Sequence, residues 1–171
     1  LMTEALGLAA ITETPIVIIN AQRPGPSTGL PTRTAQGDLL FVIHASQDEF
    51  PRFVFAPRNV YEAYAITARA FHLADKYQVP AIILADQFLC DSWFVIERPF
   101  EIPSAVNLFH ATDDDLENPS TYRRFSVTKS GVSPRALPCR GKALVMVSSD
   151  EHSEDGHMTE DRFERIKMVD K

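Results

Sequence analysis

Ile16-Val17-Ile18-Ile19-Asn20-Ala21-Gln22-Arg23-Pro24-Gly25-Pro26-Ser27-Thr28-Gly29-Leu30-Pro31-Thr32 joins an apolar run directly to a polar, proline-rich loop. The run at 16–20 is apolar at consecutive positions, the pattern of a strand covered on both faces in a parallel sheet. The loop therefore leaves the carboxyl end of a buried strand, the edge at which open α/β sheets collect ligands. From Gln22 to Thr32, eleven residues hold one arginine, three hydroxyls, two glycines and three prolines. Such a turn is stiff, polar and suited to an anion.

Working outward, residues 2–12 put Met2, Ala5, Leu6 and Ala9 on one helical face before Glu13-Thr14-Pro15 breaks the helix. Residues 34–44 read as a short helix with Leu39, Leu40 and Ile43 turned inward, and residues 52–56 as a short strand closed by Pro57. Asn59 followed by Glu62 marks a helix start. From there Val60, Ala63, Tyr64, Thr67, Ala70, Phe71 and Ala74 repeat at helical spacing to Tyr77, with Tyr64 and Phe71 assigned to the core. Pro80-Ala81-Ile82-Ile83-Leu84-Ala85-Asp86 is a third buried strand. Strands alternating with helices predict an α/β fold, a doubly wound, mostly parallel sheet over residues 1–98.

Beyond it the periodicity fails. Prolines at 99, 103, 119, 134 and 138 and the run Asp113-Asp114-Asp115 make residues 99–141 an irregular arm or linker. Residues 142–171 read as a short strand (142–148) and a helix (159–169) leading toward a following domain. The first residues already look like helix interior, with Met only at position 2, so the chain reads as a piece of something longer.

Composition sets the outer bounds. The net charge is -6, from 17 Lys and Arg against 23 Asp and Glu, and the cations are scattered, which argues against nucleic acid. No segment approaches the roughly 18 apolar residues of a membrane span. With no signal peptide in view, a cytoplasmic location is expected. Cys90 and Cys139 form no CxxC set, and Cys90, beside a strand, reads as a small core residue.

Arg23 is the leading site candidate, because a planar guanidinium donates paired hydrogen bonds to a carboxylate. Ser27, Thr28 and Thr32 add hydroxyl donors. The plainer alternative is a proline-stiffened surface turn whose arginine pairs with a carboxylate such as Asp38. Asp86 either reaches the ligand edge or caps the next turn. Asp150-Glu151-His152-Ser153-Glu154-Asp155-Gly156-His157 holds metal-ligand residue types, but its spacing matches neither a zinc helix nor a calcium loop, so it reads as a solvated acidic loop. There is no GxGxxG, P-loop or nucleophile elbow. No catalytic residue and no metal ligand is assigned, and the chain is not expected to complete a reaction alone.

The motif Gln22 to Thr32, followed by Gln36-Gly37-Asp38-Leu39, resembles the α subunit of 2-oxoacid:ferredoxin oxidoreductases, in its pyrimidine-binding domain. The resemblance continues through Glu49-Phe50-Pro51-Arg52, Ala56-Pro57, Ala70-Phe71-His72-Leu73-Ala74, residues 80–86, Ser133-Pro134-Arg135 and Asp150-Glu151-His152. It implies a thiamine-diphosphate-binding fold with the cofactor at an interface with a β subunit, which holds its Mg ion and an iron-sulfur cluster. The implied reaction is oxidative decarboxylation of a 2-oxoacid, with coenzyme A as co-substrate and ferredoxin as electron acceptor. Carried over by position, Arg23, Thr28 and Thr32 face the substrate. The Asp150-Glu151-His152 region looks like the 2-oxoglutarate branch, with pyruvate or another 2-oxoacid as the alternative.

Two positions depart from the family pattern. Gln47-Asp48 stands where many relatives carry His-Gly, and Cys139 where Gly is common after Pro138. The family's glutamate at the pyrimidine ring and its Tyr-Pro-Ile-Thr-Pro motif lie upstream of residue 1. The competing expectation is a non-catalytic α/β module whose loop docks a partner, with Arg23 as anchor.

Overall fold

The computed structural model describes residues 2–101, 109–118 and 120–171. The elements are α1 (Thr3–Ile11), β1 (Val17–Gln22), α2 (Leu39–Ile43), β2 (Phe53–Phe55), α3 (Val60–Tyr77), β3 (Ala81–Asp86), α4 (Gln87–Asp91), α5 (Asp113–Leu116) and α6 (Arg162–Val169). The chain divides into two compact units, Leu1–Asn107 and Leu108–Lys171.

In the first unit the strands form a parallel sheet in the order β1-β3-β2. The central strand is the most apolar, and its residues Ala81 to Ala85 are all buried. Register makes Ile18, Ile82 and Val54 neighbours across one row, and Val17, Ala81 and Phe53 across another. Since successive strand residues point to opposite faces, these rows build two cores. Ile82 and Leu84 pack with Leu6 of α1, Val42 of α2 and Ala45. Ala81 and Ile83 pack with Ala70 and Ala74 of α3. Helices on both faces make the unit doubly wound, as the alternation of elements predicts.

Helix α3 begins where the sequence places it: the Asn59 side chain accepts a bond from the Glu62 amide at 3.0 Å. Its contact with the sheet is made by buried Ala70 and Ala74, with partly buried Ile66 beside them. Tyr64 lies half-buried and stacks on Phe100, with centroids 4.6 Å apart. Phe71, expected in the core, is 60% exposed, because the sheet-facing stripe runs through Ala70 and Ala74 instead.

Several further expectations are corrected. In α2 the inward residue is Val42, while Leu39, Leu40 and Ile43 are exposed; a helix of five residues has too little periodicity to fix its facing from sequence. On α1 only Leu6 and Ala9 are buried, and Met2 and Ala5 face outward. Cys90 is exposed, since α4 buries none of its residues.

The described residues of the second unit form turns and two short helices. A cluster of Ala111, Leu116 and Ala136, with Tyr122 and Ala143 against it, gives the irregular segment a small core of its own. The Tyr122 hydroxyl accepts from the Ala136 amide at 2.9 Å and donates to the Pro134 carbonyl at 3.0 Å. Residues 102–108 and Pro119, parts of the expected arm, lie outside the described residues. Residues 142–148 form no strand, and Leu144 is 87% exposed. A strand needs a ladder partner, and the described residues of this unit offer only isolated bridges, His110 to Arg135 and His152 to Met158. The helix expected at 159–169 is present as α6, capped by Asp161.

Candidate functional site

The ligand edge of the sheet is its carboxyl end, where β1 stops at Gln22 and β3 at Asp86. Residues 23–38 leave from β1 and return to start α2. The loop is tied down at both ends. Gln22 is buried; its amide nitrogen donates to the Ala85 carbonyl at 3.3 Å, and its amide oxygen accepts from the Asp38 backbone at 3.1 Å. Asn20 donates to the Asp38 carboxylate at 3.0 Å. Gln36 donates to Asp86 at 2.7 Å. Side chains from two strands thus hold the returning end of the loop beside its departing end.

Inside the loop, the Gly29 amide donates to Pro26 at 3.0 Å and the Arg33 amide to Leu30 at 3.1 Å. Gly29 has φ +51, and a Cβ there would meet the Pro24 carbonyl oxygen at 2.0 Å, so the turn requires glycine.

Arg23, Thr28 and Thr32 all lie exposed on this loop. Among the described residues no hydrogen bond joins them to one another, and Arg23 has no hydrogen-bond or ion-pair partner. The alternative in which Arg23 pairs with Asp38 is not what forms: the Asp38 carboxylate accepts from Asn20, and its backbone amide donates to Gln22. Arg58, after β2, makes the contrast. It donates to Glu62 from its backbone amide at 2.9 Å and from Nε at 2.8 Å, and these bonds hold the Glu62 carboxyl at about 2. One guanidinium beyond a strand end is neutralised and the other is left with open donors.

Asp86 caps α4 by accepting from the Leu89 amide at 2.7 Å. That bond, and after it the one from Gln36, draws its carboxyl below the usual carboxylate range. Of the two readings held for Asp86, the cap is the one observed, and the same carboxylate anchors the loop. Sequence reasoning passed over Gln22, Asn20 and Gln36, whose partners are far away in the chain. It also passed over Arg33, a second guanidinium on the loop with no side-chain partner among the described residues. Its position within the same polar stretch was the available signal.

The acidic stretch 150–157 is less solvated than expected. His152 is 5% exposed and its ring stacks on buried Phe125, with centroids 3.8 Å apart. Glu151 pairs with Arg165, and Glu154 with Lys167. Asp155 accepts from the Ser153 hydroxyl at 2.6 Å and the His157 amide at 3.1 Å, which hold its carboxyl at about 2. These carboxylates are occupied with neighbouring side chains and backbone.

A parallel α/β layer with a clamped polar loop at the carboxyl edge of its strands places the first unit in the doubly wound class. The family model described as "Pyruvate flavodoxin/ferredoxin oxidoreductase, thiamine diP-bdg" matches residues 1–171, and the chain belongs to that family. It is 43% identical over its whole length to the α subunit of 2-oxoacid:ferredoxin oxidoreductase 1 of Sulfurisphaera tokodaii, of which it spans 27%. It is 44% identical, over 52% of its length, to the 2-oxoglutarate synthase subunit KorA of Archaeoglobus fulgidus, of which that match covers 26%. Among solved structures, a 2-oxoglutarate:ferredoxin oxidoreductase from Magnetococcus marinus with 2-oxoglutarate, coenzyme A and succinyl-CoA bound is similar, with a TM-score of 0.85 and 34% identity. That match covers 98% of this chain and 29% of the other. The chain thus spans little more than a quarter of such relatives.

Proposed function

We propose that the chain is part of the α subunit of a 2-oxoacid:ferredoxin oxidoreductase, which decarboxylates a 2-oxoacid oxidatively, passes its acyl group to coenzyme A and its electrons to ferredoxin. The observation that carries the reading is Arg23, a guanidinium with open donors on a loop pinned to the ligand edge of a thiamine-family fold.

The donor set of the loop suits the substrate rather than the cofactor's anchor. A diphosphate with its metal needs several converging donors and carboxylate ligands. Residues 23–38 offer guanidinium and hydroxyl donors on an exposed turn, which match one carboxylate and not that anchor. The proposal accordingly gives the diphosphate, its Mg ion and an iron-sulfur cluster to a β subunit, with thiamine diphosphate at the interface. When bound, that cofactor supplies the nucleophilic carbon for the 2-oxo group and an acceptor for the electrons released with carbon dioxide.

This chain's part is to hold the acid. Paired donation from Arg23 fixes the plane of the substrate carboxylate, and with it the direction of the bond to be cleaved. Thr28 or Thr32 donates a hydroxyl hydrogen bond to the carboxylate or to the 2-oxo oxygen. The clamps at Gln22 and Asp38 keep the loop from rearranging between binding and release.

Among 2-oxoacids the proposal favours 2-oxoglutarate, supported by the likeness to KorA and to a structure holding that acid. The enzyme would work in the cytoplasm; no helix among the described residues is long and apolar enough to cross a membrane. The test is the assembled α–β enzyme offered a panel of 2-oxoacids with coenzyme A and a redox dye. Dye reduction fastest with 2-oxoglutarate supports the whole reading, a preference for pyruvate overturns the substrate, and assembly without turnover on any acid favours the docking module.

A further inference from the structure

Gln22 occupies a position that the substrate contact alone does not explain. It is the last residue of β1 and immediately precedes Arg23, yet it is 5% exposed. Both halves of its amide are used. The nitrogen donates to the carbonyl of Ala85 on the neighbouring strand, and the oxygen accepts from the backbone of Asp38, the residue that starts α2. One side chain therefore joins the sheet, the departure of the loop and its return.

A loop whose ends are held together and whose interior is braced by its own turns moves as a unit. Here the interior braces are the Gly29 to Pro26 and Arg33 to Leu30 bonds. The second tie to Asp38, from Asn20, comes from the same strand two residues earlier. Glutamine suits this task because it offers one donor and one acceptor on an uncharged amide that can be buried at low cost when both are satisfied. A glutamate there would set oxygen against the Ala85 carbonyl, and a hydrophobic residue would leave the Asp38 amide without the Gln22 acceptor.

We propose that Gln22 is the positioning residue of the substrate loop: by clasping Ala85 and Asp38 it fixes where Arg23 presents its guanidinium. The inference rests on the reading of Arg23 as the substrate's carboxylate ligand, and it assigns Gln22 no contact with substrate. Removing the clasp leaves Arg23 in place chemically but spreads its position, so substrate capture suffers while steps that use other surfaces do not.

The test uses the complete enzyme with Gln22→Met, which keeps the side chain's length and removes both hydrogen bonds, and with Asn20→Ala, which cuts the companion tie should the first variant fail to assemble. Amide hydrogen exchange of residues 24–38 should speed up at least fivefold in either variant while residues 81–84 of β3 keep their protection. In Gln22→Met the KM for the 2-oxoacid should rise about tenfold, with the KM for coenzyme A within twofold of the parent. Unchanged exchange across the loop overturns the clasp. Faster exchange with an unchanged 2-oxoacid KM overturns the positioning role, provided Arg23→Ala is itself impaired. An active Arg23→Ala enzyme instead removes the substrate reading, and the exchange result still decides the clasp.

Discussion

The two units of this chain solve the same problem by different means. Leu1–Asn107 covers both faces of a parallel sheet, and its central strand is buried from Ala81 to Ala85. Leu108–Lys171 has no ladder of strands among its described residues, and wraps irregular backbone around Leu116, Phe125 and Ala136 with side chains such as Tyr122 satisfying the backbone. Repeating structure leaves a periodic trace in sequence; a core assembled from turns leaves almost none. The candidate site lies where the two modes meet within the first unit, an irregular loop held by a regular sheet.

That contrast can be broken most strongly at β3. Ile83→Ala empties a position enclosed by two strands and α3, and should cost about 2–5 kcal/mol of unfolding free energy by denaturant titration of the full-length subunit. A loss within the error of surface substitutions would mean that the sheet does not dominate the unit. Next, Asn59→Ala removes the cap of α3 and should cost about 1 kcal/mol, with Asn59→Gly recovering most of it.

One position in each unit offers the opposite sign. Cys139 has φ +66 and Asp48 has φ +58, left-handed backbone at the two positions where the family resemblance expects glycine. Cys139→Gly should therefore stabilise the protein by about 0.5–1 kcal/mol, the relief of left-handed strain exceeding glycine's extra freedom when unfolded. A destabilised variant would show that the side chain contributes more than its backbone costs. Aspartate tolerates that conformation better, so Asp48→Gly should gain less.

The smallest effects are electrostatic. Glu62 in the first unit and Asp155 in the second are both held at about 2, by Arg58 and by the Ser153 hydroxyl respectively. A depressed carboxylate contributes stability above its ordinary value, here 4.5 and 3.8, that is lost as pH falls through about 2. Carboxyl NMR titration should find both midpoints near 2; midpoints near 4 would mean that the bonds do not persist in solution. Both groups lie at the surface, so the change in overall stability across that window should be slight.

How much was legible follows from these differences. The capped helix α3 and the apolar run of β3 stand out because many consecutive residues agree on one period. The facing of α2, five residues long, was misread for want of a second turn, which put Leu40 inside and left Val42 out. Phe71 was misassigned because hydrophobicity outranked the small residues that the sheet contact needs. A strand at 142–148 was expected from composition, and what it lacked was a partner, which composition does not specify. At the site, the loop's polarity marked Arg23, Thr28 and Thr32. The ties that hold the loop, Gln22 to Ala85 and Gln36 to Asp86, join residues some fifty or more apart and belong to the folded chain only.

The central claim is that Arg23 holds the carboxylate of a 2-oxoacid. Its most direct test is kcat/KM for the 2-oxoacid in the assembled enzyme carrying Arg23→Ala, beside Arg23→Lys and the neighbouring Arg33→Ala. The account predicts a fall of at least tenfold for Arg23→Ala, about 1.4 kcal/mol, with a substantial fall for Arg23→Lys because a lysine cannot donate in pairs. Activity near that of the parent enzyme in Arg23→Ala would contradict it.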